Sequence, residues 1–219
     1  MFDKPRDLLN AYKNGLVGSW CDPEDTDKLL GELPHPLFGV AASDLYDSGK
    51  GKLALLHKSV QKFDPTFGAH ERQTTGDCVS HATRNAVDVT RCHEIVGGQR
   101  EDFVTRGATE AIYGYRGHGG QGMSCSKAAR FVNQIGGILL RKDYGFVDLS
   151  RYNSKIGTNW GRGGVPEQVR TEGQKHQVKT ISLINTIDQA RDAIANGYAL
   201  SVCSNYGFSS RRDKNGIAR

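Results

Sequence analysis

A glutamine, a Gly-Asp turn and a cysteine stand close together in Gln73-Thr-Thr-Gly-Asp-Cys78-Val-Ser-His-Ala. In that order, these residue types can build a cysteine nucleophile. Asp77 is a good N-cap for a helix opening at Cys78, and a helix N-terminus favours thiolate over thiol. Gln73, a few residues upstream, can place a side-chain amide where an oxyanion forms during acyl transfer. A second feature is the loop Gly114-Tyr-Arg-Gly-His-Gly-Gly-Gln-Gly122. It lacks the Gly-Lys-Ser/Thr ending of a phosphate-binding loop and follows a predicted helix instead of a strand. The acidic residues show no spacing that suggests a paired-carboxylate site.

The chain has seven histidines as candidate bases. His81 lies one helical turn after Cys78, where side chains lean back toward the N-terminus; packing or capping fits it better than catalysis. His118 sits beside Gly119-Gly120 and reads as a solvated loop residue. His176 precedes a predicted strand, in the wrong place along the chain for a base. His35, His57, His70 and His93 have no supporting context. Trp160, in a Gly-rich segment, reads as a cleft-lining aromatic or a loop anchor.

The elements that must position these residues follow from periodicity. Lys50 to Lys62 carries Leu53, Leu56 and Val60 on one helical face. From Cys78, the positions Val79, Ala82, Ala86, Val89 and Val96 predict a helix to about Ile95, stopped by Gly97-Gly98. Further helices are expected over Asp102–Tyr113, Ser124–Gln134 and Thr186–Asn196, the last capped by Thr186 and ended by Gly197. Residues 144–164 read as an irregular loop. Val178–Ile184 and Tyr198–Cys203 read as strands. Helices early and strands late predict an α+β fold with two unlike lobes.

Composition bounds the function. At 219 residues and 37% apolar content, the chain can bury a substantial core. Its mean hydropathy is −0.53. No apolar run approaches membrane-spanning length and the start lacks a signal-peptide core, so a soluble cytoplasmic protein is expected. The five cysteines are scattered without a CxxC pair, which argues for reduced thiols and against a metal site. A net charge of +5 is spread among acids, which reads as a solvated basic surface and not a nucleic-acid interface.

The quoted residues resemble the papain-like cysteine peptidases, whose signature is a glutamine shortly before Gly-x-Cys at the start of a long helix. Here those are Gln73 and Gly76-Asp77-Cys78. Gly119-Gly120, the helix bearing Ala128, Phe131 and Val132, and Gly136-Gly137-Ile138 are similar in order and spacing to the family's substrate loop and following helix. The run from Ile187 to Val202 resembles the helix, glycine and strand entering the second lobe. Most closely, the chain looks like papain-fold proteins of phage and environmental bacterial genomes, over about Lys50 to Arg219.

That resemblance implies an N-terminal extension at 1–48 and a papain-like domain at 49–219, with a helical left lobe and an incomplete β-rich right lobe. It implies Cys78 as nucleophile, the Gln73 amide as oxyanion donor, and Gly119 and Gly120 as backbone contacts to extended substrate. No cofactor is implied. The family's base is a histidine about 130–150 residues after the cysteine; no histidine follows His176, so the base is not evident in this chain. The implied function is a peptidase acting on peptides or proteins, with phage or host proteins as further partners and the host cytoplasm or virion as its place. The alternatives are a non-catalytic structural or binding module on the same fold and a cell-wall amidase or endopeptidase.

Overall fold

Helices carry nearly all the regular structure in the computed structural model, which describes residues 35–67, 71–98 and 102–202. These residues fall in one unit, His35–Val202. In chain order the helices are α1 (Phe38–Ala41), α2 (His57–Gln61), α3 (Cys78–Val96), α4 (Glu110–Gly114), α5 (Cys125–Arg130), α6 (Ser154–Gly163), α7 (Glu167–Gly173) and α8 (Ile187–Ala195). Among the described residues, no helix is long and apolar enough to cross a membrane.

The longest of them, α3, runs for 19 residues without a glycine or proline. It ends where Gly97 N–H bonds the His93 carbonyl at 2.9 Å. Its deepest positions, Ser80, Arg84, Asp88 and Cys92, repeat every four residues, flanked by Thr83 and Val89. This face is polar for most of its length, so α3 is anchored by hydrogen bonds and ion pairs as well as by apolar contact. The main apolar core forms beside it from Ala111 and Ile112 of α4, Ala128 of α5, Phe131 and Val132 just beyond, Leu139, Leu149 and Val169 of α7. Each large side chain fully buried there stabilises the fold by about 1.5–3 kcal/mol. A smaller cluster joins Val60 of α2 to Val89 and Cys92 of α3.

Close packing of α4 on α6 depends on glycine. A Cβ on Gly161 would overlap the Arg116 guanidinium, which is fully buried just past the end of α4. That guanidinium donates to the carbonyls of Tyr113 (3.1 Å), Gly157 (2.8 Å), Thr158 (3.2 Å) and Gly120 (2.9 Å), and lies 3.9 Å from the centroid of the Tyr113 ring. Elsewhere in the unit, the buried Asp192 of α8 accepts from the N–H groups of Asp47 and Gly49, both at 2.9 Å.

The expected two-lobed α+β architecture does not form. The described residues contain no sheet, only three isolated bridges: Leu37 with Leu183, Gly107 with Leu140, and Asp143 with Asp148. Residues 178–184 form no strand, and other elements take up much of their backbone bonding. Val178 N–H bonds the Val132 carbonyl (3.0 Å), the Asn133 amide bonds the carbonyls of Val178 and Lys179, and Leu183 pairs with Pro36 and Phe38. Tyr198 and Ala199 likewise spend their N–H groups on Ala193 of α8 and the Thr90 hydroxyl of α3. Cys203, the end of that expected strand, lies outside the described residues.

Other expectations shift less. The helix expected over Asp102–Tyr113 is only α4, because Gly107 N–H is held by the Asp88 carboxylate and Ala108 N–H by the Leu139 carbonyl. The stretch expected to be irregular at 144–164 contains α6, capped by Asn153. The expected helix from Ser124 is α5, capped by that serine and extended by a π-type turn through Ile135. In α8, Thr186 caps Gln189 N–H as its sequence suggested.

Candidate functional site

Cys78 is the first residue of α3 and is exposed as a free thiol. The loop that presents it, 73–77, is tied on two sides. Gly76 carbonyl accepts from Gly122 N–H at 3.1 Å, and a Cβ on Gly76 would come within 2.9 Å of Gln121 and of that same nitrogen. Thr74 hydroxyl donates to the Ser154 hydroxyl at 2.7 Å, at the start of α6. The cysteine loop and the glycine-rich loop, 46 residues of sequence apart at their hydrogen bond, are therefore neighbours in space.

Asp77 does not cap α3. Its backbone sits at φ −107°, ψ 25°, away from the extended conformation of an N-cap, and its side chain bonds no first-turn N–H. The carboxylate is instead buried, accepting from the Tyr152 hydroxyl at 2.9 Å. His81 Nε2 lies 3.4 Å from the same oxygen, and Asp77 Oδ1 is buried without a hydrogen-bond partner. The first turn of α3 consequently has no side-chain cap, which leaves its N–H groups and the positive end of the helix dipole beside Cys78.

Gln73 is exposed, and its amide donates to the Thr75 carbonyl at 2.7 Å within its own loop. Gly119 and Gly120 are exposed; the Gly120 carbonyl is held by Arg116, while Gly119 packs near the Arg162 stem. His118 is exposed on the same loop. The structure thus gathers the cysteine loop and the Gly119-Gly120 loop, with the Gln73 amide turned onto its own chain.

No hydrogen bond or ion pair joins Cys78 to an imidazole among the described residues. His81 is turned into a charged cluster, with Nδ1 3.7 Å from Glu71 and 3.4 Å from Arg84. His93 shares a 3.2 Å contact with the Ser59 hydroxyl, and His35 is buried, which pushes its pKa down. His57 and His176 are exposed, and His70 lies outside the described residues. Trp160 packs against the core as an anchor.

Behind His81 runs a chain of alternating charge that sequence reasoning missed. Arg141 Nη1 donates to both oxygens of the fully buried Glu110 at 2.7 Å, and its Nη2 reaches Glu71 at 3.1 Å. Arg84 also bonds Glu71, at 3.2 Å, and Gly107 carbonyl at 3.2 Å. Asp88, attracted by Arg84, is nonetheless pushed up to about 6 by burial. The one sequence signal was Ser80, Arg84 and Asp88 at four-residue spacing. The partners come from segments far apart in the chain and leave no local trace.

Among the other thiols, Cys92 is buried and its pKa is pushed up to about 12 by that burial. Cys125 is disulfide-bonded, which corrects the expectation of reduced thiols throughout. Among the described residues, no group of three or more His, Cys, Asp or Glu side chains could hold a metal ion. No family model, no curated protein and no solved structure matches the chain.

Proposed function

We propose that the chain is a cysteine hydrolase acting on peptide bonds, with Cys78 as its nucleophile. The observation that carries this reading is the exposed thiol at the uncapped start of α3. The thiolate attacks the scissile carbonyl, and the negative charge that develops on its oxygen is met by first-turn N–H groups. The thiol proton passes to a general base and on to the leaving amine as the C–N bond breaks; the thioester left on Cys78 is hydrolysed by water to a carboxylic acid and the free thiol. The glycine loop beside the cysteine loop offers the exposed backbone of Gly119 to an extended substrate. Among the described residues, no general base is bonded to Cys78.

The test is turnover of fluorogenic peptide pools by the purified chain and by Cys78→Ala, with peptidoglycan as a parallel substrate. Peptide cleavage lost by at least about 10³-fold in the variant supports the reading. Cleavage of peptidoglycan alone moves the substrate to the cell wall. A second reading, a non-catalytic binding module, is favoured by the Gln73 amide being spent on Thr75. Equal background rates for parent and variant on both substrates would select it.

A further inference from the structure

We propose that Tyr152 is a positioning residue for Cys78: its hydroxyl holds the Asp77 carboxylate off the start of α3 and keeps the first-turn N–H groups open. The inference rests on Cys78 being the reactive thiol of the proposed function.

An aspartate directly before a helix ordinarily bonds the N–H groups of the first turn. Asp77 makes no such bond, yet its Oδ1 is buried with no partner at all. A carboxylate that forgoes available donors beside it must be held elsewhere. Among the described residues, Tyr152 is the one group that hydrogen-bonds it. The direction of that bond is set, because the Tyr152 oxygen accepts from Thr74 N–H at 3.4 Å and so turns its proton toward Asp77. Burial pushes the Tyr152 pKa up, which keeps the proton on the phenol. His81 closes the other side, with Nε2 at 3.4 Å from Asp77 Oδ2 and its ring edge-on to Tyr152 at 5.2 Å. Glu71 and Arg84 flank His81 from behind.

The chemical consequence concerns the thiolate. A carboxylate returned to the helix start would occupy a first-turn N–H and set a negative charge beside Cys78. Both effects disfavour a thiolate there. Tyr152 thus separates two roles that compete for one helix end, capping and activation.

The experiment is the rate of Cys78 alkylation by iodoacetamide from about pH 6 to about pH 9, read by peptide mass spectrometry, with buried Cys92 reporting unfolding. Tyr152→Phe is expected to slow Cys78 about fivefold at the lower end of that range, the size of a cap near 1 kcal/mol. Adding Asp77→Ala to it is expected to restore the parent rate within about twofold, a rescue that a merely structural role would not give. An unchanged rate in Tyr152→Phe, or no rescue in the double variant, overturns the proposal. Where Tyr152→Phe exposes Cys92, Asp77→Ala alone decides. A rate near the parent's supports the proposal, and a clear rise overturns it, because the carboxylate would then already act on Cys78 from its buried place. Peptide turnover is not read in these assays, so loss of the hydrolase reading and loss of this one are told apart.

Discussion

In the hydrolase proposed above, Gln73 and the first-turn amides of α3 would be rival donors for the same developing charge. The Gln73 amide is already bonded to Thr75 carbonyl, whereas the start of α3 has no side-chain cap. Removal of a working oxyanion donor costs about 10²–10³ in kcat. Gln73→Ala is therefore expected to lower peptide turnover by less than about tenfold. A loss of 10²-fold or more would show that the amide swings onto substrate. At this scale the sequence was readable where the structure is local: the helix that opens at Cys78 is continuous in the chain. It was unreadable where the partner is remote. Asp77 carries every local sign of a cap, and a tyrosine 75 residues away outcompetes the helix for it. Propensity describes what a side chain does when nothing distant claims it.

Among the elements, α3 was legible from periodicity and its glycine stop and α8 from its Thr186 cap, while α6 was not. Its sequence, with Gly157, Gly161 and Gly163, has poor intrinsic helix propensity. Tertiary packing makes it a helix, because the small residues let it close on α4 and on Arg116. The three glycines differ in what they face, and this gives a paired prediction. Gly161→Ala drives a methyl into the Arg116 guanidinium and disturbs its bonds to four carbonyls. A loss of about 3 kcal/mol in urea unfolding is expected. Gly163→Ala meets open space, and better propensity should leave it neutral or stabilised by up to about 1 kcal/mol. Equal effects at the two sites would mean that Arg116 does not fix the α4–α6 contact. The segment 178–184 teaches the converse. Alternating β-branched residues report half-burial, and helix ends satisfy part of its backbone where a sheet was expected.

In the whole unit, the buried ion chain from Glu110 through Arg141, Glu71 and Arg84 stands beside an apolar core of modest size. Such a chain is costly to desolvate and holds only while every member keeps its partner. Asp88, held by Gly107 N–H and attracted by Arg84 without a direct bond to it, has a measurable consequence. Its carboxyl is held at about 6 against an ordinary 3.8, burial outweighing the attraction of Arg84. The folded chain therefore retains a proton there that the unfolded chain releases, and the unfolded state binds fewer protons across that interval. Linkage then requires this group's contribution to favour folding most below about pH 4, to fall as pH rises toward 6, and to stay level above it. The full change is at most about 3 kcal/mol. Asp88→Asn removes the titration while keeping a carbonyl oxygen for Gly107 N–H. Unfolding free energies of both proteins, taken from about pH 3.5 to about pH 7 by denaturant titration, isolate the effect, since every other carboxylate is common to the two. The difference, parent minus variant, should fall steadily between pH 4 and 6 and then flatten. Parallel curves would mean that folding leaves the Asp88 pKa at its unfolded value, the attraction of Arg84 cancelling burial.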